Sequence, residues 1–163
     1  MFSFHPDRPG TDTTGSPSTA VRRGAKAIVW SASGTLLVKE EHGDGTTFWT
    51  LPGGGVNPEE SAAAGLKREL REELQCDAVL GDVISEFWYA HSSSPDTVTR
   101  YAVFSAAVLS EITPVRGEGI LDAAWLDPDD LPAATLPQVC WLVRQCERST
   151  GVQRRDRPGR PRG

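Results

Sequence analysis

The sequence predicts an α/β domain built on a mixed sheet. Three observations carry this. Short runs rich in β-branched and apolar residues recur at about 26–31, 35–39, 78–90, 98–109 and 120–126. Between the second and third of them, Ala62, Leu66, Leu70 and Leu74 repeat every four residues, the spacing of one helix face. A second helical pattern, with Val139, Leu142, Val143 and Cys146 on its apolar face, closes the domain at 137–148.

The elements follow in order. Residues 1–20 are rich in Pro, Gly, Ser and Thr without periodicity and read as a flexible leader. KAIVWS (26–31) and TLLVK (35–39) read as strands joined by a hairpin turn at Ser33-Gly34. Phe48-Trp49-Thr50-Leu51 follows a polar loop, and Pro52-Gly53-Gly54-Gly55 punctuates it. The first helix is expected to start at Asn57. Asn57 suits an N-cap, Pro58 the first helical position, and Glu60 lies three residues after the cap. Strands return after Cys76. Pro128, Pro132 and Pro137 interrupt the chain before the last helix. The segment 151–163 has five Arg, one Asp and several Gly and Pro residues, and reads as a disordered basic tail. One domain, 21–150, remains.

Composition bounds the function. The chain has 163 residues, 38% hydrophobic and 24% charged, as in a soluble globular protein. No apolar run approaches the roughly 20 residues of a membrane span, and no signal-peptide pattern is seen. Three cysteines are an odd, sparse set that argues against a disulfide framework and points to a reducing, cytoplasmic setting. No Cys/His spacing suits zinc. Residues 21–150 hold 11 basic and 19 acidic side chains, a net charge of −8. That balance disfavours DNA as a partner and favours divalent cations.

Glu69, Glu72 and Glu73 lie on one helix at i, i+3 and i+4, so they share a face. Mg²⁺ takes one or two carboxylates together with substrate phosphates and water. A glycine run beside such a face lets backbone approach a ligand without an intervening Cβ. Taken alone, the three glutamates read sooner as an acidic solvated face balanced by Lys67, Arg68 and Arg71 than as a metal site; the neighbouring glycine run shifts that balance.

The 23 residues GGVNPEESAAAGLKRELREELQC (54–76) resemble the signature of the Nudix hydrolases. Gly54, Glu60, Arg68, Glu69, Leu70, Glu72 and Glu73 fall in register with it. Trp49-Thr50-Leu51-Pro52 before this box and Ala124-Trp125-Leu126 after it are similar to the family's phrasing, and the resemblance covers about residues 22–148. Two positions depart from the pattern. Gln75 stands where a Gly would end the helix in the left-handed conformation, so either Gln75 is strained or the helix ends differently. Cys76 replaces an aliphatic residue.

The resemblance implies an α/β/α sandwich and hydrolysis of a nucleoside diphosphate linked to another group, through a metal-activated water. It implies Glu69, Glu72 and Glu73 as ligands of Mg²⁺, with Mn²⁺ as substitute, Arg68 as the group orienting them, and Glu60 as a structural residue of the loop–helix junction. Gly54 and Gly55 would shape the turn against the ions. Glu118, between Gly117 and Gly119, is the first candidate for the general base. Asp122 and Glu111 follow, and Glu72 or Glu73 is an alternative. Among Phe48, Trp49, Phe87, Trp88 and Tyr89, the rings of Trp49 and Trp88 are expected to face the substrate. Arg22, Arg23 and Arg100 are candidates for phosphate contact or plain surface charge, and His42 and His91 read as polar-loop surface residues. The substrate class stays open among nucleoside triphosphates, nucleotide sugars and other diphosphates. A homodimer is a frequent state in such a family, but no residue here decides it. The competing reading is a catalytically silent Nudix-like domain that binds a nucleotide or a protein as a sensor.

Overall fold

The computed structural model describes residues 19–91 and 96–149. The expected leader, apart from its last two residues, and the basic tail lie outside the described residues. Seven strands form the sheet: β1 (Ala20–Ser31), β2 (Gly34–Glu41), β3 (Thr47–Thr50), β4 (Gly53–Gly55), β5 (Ala78–Ala90), β6 (Thr97–Val108) and β7 (Asp122–Leu126). Two helices, α1 (Ala62–Leu74) and α2 (Pro137–Ser149), accompany them. The main path runs β3-β2-β1-β6-β5, with β4 paired to β1 and β7 to β2. Among the pairings of these seven strands in the described residues, β1–β6 is the parallel one and the others are antiparallel, so the sheet is mixed as predicted.

β1 is buried without interruption from Gly24 to Val29, because both faces of the sheet are covered. Ala25, Ala27 and Val29 meet Leu36, Val38 and the α1 stripe Leu66, Leu70 and Leu74 in one core. Ile28 and Leu37 meet Tyr101, Val103 and the α2 residues Val139, Leu142 and Val143 in the other. Helix, sheet and helix therefore stack as an α/β/α sandwich. Each fully buried leucine of α1 stabilises this by roughly 1.5–3 kcal/mol.

Three local expectations are corrected. The hairpin pairs Ser31 with Gly34, so the loop is Ala32-Ser33 and Gly34 already belongs to β2 at φ +133°. The glycines 53–55 form β4, in register with Gly24, Ala25 and Lys26, rather than a turn. The first helix starts later than Asn57. Ser61 is the N-cap, its side chain accepting from the Ala64 N–H at 3.1 Å. Asn57–Glu60 makes its own turn, in which the Glu60 N–H donates to the Asn57 carbonyl (3.1 Å) and the Asn57 N–H to the Glu60 carboxylate (2.9 Å). The capping-box geometry is present, but it closes a loop turn, since Glu60 is drawn toward Arg68.

Gln75 resolves the choice left by the sequence: it sits in the left-handed region at φ 50°. Its N–H donates to the Arg71 carbonyl at 3.0 Å, ending the helix as a Gly would. A side chain in that conformation costs about 1–2 kcal/mol. Cys76 follows it into the core, 1% exposed.

Candidate active site

β1 pairs with β2 only at its hairpin end, Trp30–Thr35 and Ser31–Gly34, and with β4 at Gly24–Lys26. A pocket of about 320 Å³ opens where the strands part. α1 delivers Glu69 and Glu73 to it, β2 delivers Glu40, β1 delivers Lys26, and β4 forms one wall.

Glu73 is 5% exposed. The Gly53 N–H donates to its Oε2 at 3.2 Å. Burial, with the nearby Glu40 and Glu69 carboxylates, pushes its pKa up to about 8, against the pull of Lys26. Lys26, 4% exposed, donates from Nζ to the Gly53 carbonyl (2.8 Å), lies 4.0 Å from Glu40 and sits 4.9 Å from the Tyr101 ring centroid. Burial pulls its pKa down, but Glu40, Tyr101, Glu73 and Glu69 outweigh this and hold the ammonium charged. The two polar groups of Gly53 thus engage Lys26 and Glu73.

Arg68 organises the outer side. Its Nε and Nη2 donate to the two oxygens of Glu60 (3.2 and 2.6 Å), Nη1 to Glu69 (3.0 Å) and Glu72 (3.1 Å), and Nη2 also to the Gly55 carbonyl (3.0 Å). The fork holds three carboxylates and β4 in one arrangement, which a point-charge lysine cannot do. Glu60, bonded to Arg68 and the Asn57 N–H, has its carboxyl pKa held below the usual range by those bonds.

Not every expected residue reaches the pocket. Glu72 faces outward, its side chain 43% exposed, and does not line it. Among the described residues, no three His, Cys, Asp or Glu side chains stand close enough together to hold a metal on their own. Glu118 is exposed in a single 3-10 turn (Arg116–Glu118) and does not line the pocket. Neither does Asp122, which bonds the Ala123 N–H, nor Glu111, which lines a separate groove with Trp30 and Trp125. The two tryptophans also miss it. Alternation along β3 sends Phe48 and Thr50 to the pocket and Trp49 into the α2-side core. On β5 Phe87 and Tyr89 line the pocket, while Trp88 is exposed beneath the Arg100 guanidinium.

The aromatic wall is instead Phe48, Tyr89 and two histidines. His42 stacks on Phe48 (centroids 4.1 Å, 21°), and Tyr89 meets His91 edge-on (4.8 Å). His91 Nε2 lies 3.1 Å from Thr99 Oγ1. Burial first, and the Lys26 charge second, push the His91 pKa down, so its ring is held neutral near pH 7. Lys26, Glu40 and the two histidines were missed as site residues. A lysine within an apolar strand was the signal for the first, while the others depend on long-range packing.

Two predictions arise here. A Cβ at Gly54 would come within 2.8 Å of the Glu69 carboxyl, whereas one at Gly55 meets nothing within 4 Å. Gly54→Ala should therefore displace Glu69 and lower activity about 10-fold or more, as for a misplaced reacting group. Gly55→Ala should leave kcat within about 2-fold, its Cβ pointing into open space. Steady-state kinetics of the two variants checks this. The second concerns pH. A carboxyl whose folded pKa is raised binds its proton more tightly in the folded state. Its contribution is fully present below its ordinary pKa of 4.5 and is lost as pH rises toward about 8. Without divalent cations, Tm should fall between pH 5 and 8 more steeply for the wild type than for Glu73→Gln, as read by thermal melts in EDTA.

The described residues contain no helix long and apolar enough to cross a membrane. A family model described as NUDIX domain matches residues 20–142. An RNA pyrophosphohydrolase of Acidiphilium cryptum (strain JF-5) is 32% identical over 93 residues, 54% of this chain and 56% of that protein. The nucleoside triphosphatase NudI of Salmonella newport (strain SL254) is 31% identical over 91 residues, 51% of this chain and 64% of that protein. The matches thus span less than two thirds of the length of these curated relatives. A MutT protein from Methanosarcina mazei Go1 superimposes with TM-score 0.69 at 19% identity, over 82% of this chain and 97% of that one. The E. coli ORF135 protein does so with TM-score 0.66 at 20% identity, over 83% and 96%. At these identities the structural likeness is one of fold.

Proposed function

This chain belongs to the Nudix family, and from that premise we propose that it is a divalent-cation-dependent diphosphohydrolase acting on a nucleoside diphosphate derivative. The observation that supports this most is the buried Glu73 carboxylate, held against β4 beside Glu69 and Glu40 with one lysine to offset them.

The donor set fits a hard cation. Glu69 and Glu73 already face the pocket, and Glu72 shares Arg68 with Glu69 one helical turn away. We propose these three as ligands of Mg²⁺, with Mn²⁺ as substitute. Among the described residues no three such side chains converge, and Mg²⁺ in general needs only one or two carboxylates, since substrate phosphates and water would supply the rest. When bound, the ion neutralises phosphoryl charge and lowers the pKa of a coordinated water.

The chain's own residues do the rest. Arg68 keeps the carboxylates in register. Lys26 ties β4 to β1 through the Gly53 carbonyl, and the Gly53 N–H ties β4 to Glu73 of α1. Phe48, His42 and Tyr89 offer flat faces to a nucleobase, which stacks on aromatic rings for about 1–3 kcal/mol. Glu40, the pocket carboxylate from β2 beside Lys26, takes the proton of the attacking water in place of Glu118. The water oxygen bonds one phosphorus, the bridging oxygen leaves with the other, and one water is consumed for two phosphate products.

The test is a panel of nucleoside triphosphates, nucleoside diphosphate sugars and dinucleoside polyphosphates, each with Mg²⁺, Mn²⁺ or EDTA. The expected result is turnover with either ion and none with EDTA. Tight nucleotide binding without turnover on the whole panel would replace this reading with that of a silent sensor domain.

A further inference from the structure

Lys26 interrupts an otherwise apolar strand. Its neighbours Ala25 and Ala27 are buried in the α1-side core, and Ile28, next along its own face, is buried in the α2-side core. Alternation turns the Lys26 side chain to the pocket, which it lines. A Cβ at Gly24 would overlap the Tyr101 ring, so that glycine gives the ring room to lie against the Lys26 ammonium, 4.9 Å from its centroid.

An ammonium carries three N–H donors. One goes to the Gly53 carbonyl at 2.8 Å. Glu40, at 4.0 Å, is an ion-pair partner beyond hydrogen-bond distance. Two donors are left without an acceptor among the described residues, on a side chain whose residue is 4% exposed. Buried donors are ordinarily satisfied, and the open side here is the pocket itself. Lys26 is also the one lysine or arginine among the described residues lining that pocket, against Glu40, Glu41, Glu69 and Glu73. Its Nζ stands between Glu40 on one side and, on the other, the Gly53 peptide whose N–H holds Glu73. A phosphoryl group that meets both a cation at Glu73 and a water at Glu40 passes Nζ.

We propose that Lys26 is a catalytic residue whose two unspent N–H groups hold the non-bridging oxygens of the attacked phosphoryl group, and that its charge couples cation binding to substrate binding. This rests on the diphosphohydrolase reading above. The ammonium keeps its protons throughout. The proton of the attacking water goes to Glu40, and the bridging oxygen leaves with the bonding pair. A divalent cation bound by Glu69 and Glu73 meets Lys26 as a like charge, so by itself it binds weakly. A phosphoryl anion between the two cations removes that repulsion, and the pocket therefore takes cation and substrate together.

The experiment compares the wild-type full chain with Lys26→Met, which keeps the stem and loses the charge. On whichever member of the nucleotide panel is turned over, kcat/KM at saturating Mg²⁺ should fall by about 100-fold or more, the effect of removing one preorganised charged donor. In Mg²⁺-titrated melts without substrate, the concentration for half-maximal stabilisation should move the opposite way, down by about 5-fold or more, because a coupled like charge is gone. A lysine that only ties β4 to β1 predicts the reverse: a looser site, weaker Mg²⁺ binding, and activity recovered by excess Mg²⁺. That result, or an unchanged kcat/KM, overturns the proposal. A further readout uses the wild type and does not depend on the variant folding. The chain has three lysines, Lys26, Lys39 and Lys67, so the Nζ–H signal of Lys26 is resolvable by NMR with isotope-labelled lysine. Inorganic phosphate added with Mg²⁺ should shift that signal more than those of Lys39 and Lys67, and an unmoved Lys26 signal overturns the proposal. If nothing on the panel is turned over, the diphosphohydrolase reading falls, while the melts and the Nζ signal still decide whether Lys26 meets phosphate.

Discussion

Glu73→Gln should reduce metal-dependent turnover by at least about 100-fold, more than is typical for loss of a group that only supports a ligand. The substitution is nearly isosteric, and its side-chain oxygen still accepts the Gly53 N–H, now at 3.2 Å from the carboxylate. It removes a charge that burial disfavours. The variant should therefore fold, with a Tm at pH 8 in EDTA equal to or above that of the wild type, and should lack the rise in Tm that the proposed site predicts for the wild type on adding Mg²⁺. Glu40→Gln separates the two proposed roles. It should lower kcat by about 10²–10⁴-fold, the range for a general base, while the Mg²⁺ concentration for half-maximal stabilisation stays the same. Kinetics and metal-titrated melts on both variants make the measurement. Glu73→Gln retaining full activity would remove the proposed metal site.

The second large effect is at Arg68. Arg68→Lys keeps the charge but loses the planar fork that joins Glu60, Glu69, Glu72 and the Gly55 carbonyl. Stability should fall by about 1–3 kcal/mol, the worth of charged hydrogen bonds at a partly buried position. Activity should fall by roughly 10–100-fold, since the positions of Glu69 and Glu72 loosen although neither is altered. Denaturant unfolding and kcat/KM give the two numbers. A lysine variant with wild-type kinetics would show that Glu69 is positioned by its own helix alone. Arg68→Lys with Glu60→Gln should then be no worse than Arg68→Lys, because Glu60 acts through Arg68.

These two residues mark how far the chain could be read directly. Periodicity alone located α1 and its leucine stripe. Apolar runs located the strands at 78–90 and 98–109 to within a residue or two of β5 and β6. The helix face bearing Glu69, Glu72 and Glu73 was legible for the same reason, since i, i+3 and i+4 spacing is a local property. The helix start was misread at Asn57 because its capping pattern is real, while a long-range partner, Arg68, takes up Glu60. Trp49 and Trp88 were misassigned for a related reason. Alternation says that neighbouring strand residues face opposite ways, but not which face holds the pocket. Phe48 and Tyr89 took the places expected for them. His42 and His91, read as surface residues, stand in the pocket wall because β2, β5 and β6 meet there.

By itself, then, the sequence determined the α/β class, the strand and helix segments, and a helix edge rich in carboxylates with its arginine, all set by spacing along one continuous stretch. Only the tertiary structure decided that Glu73 is buried while Glu72 faces water, that Lys26 and Glu40 come from separate strands to the same pocket, and that Glu118 stands outside it. The physical reason is that burial and charge coupling depend on which surfaces the sheet brings within a few ångströms, and residues 26, 40 and 73 are far apart until β1, β2 and α1 pack together.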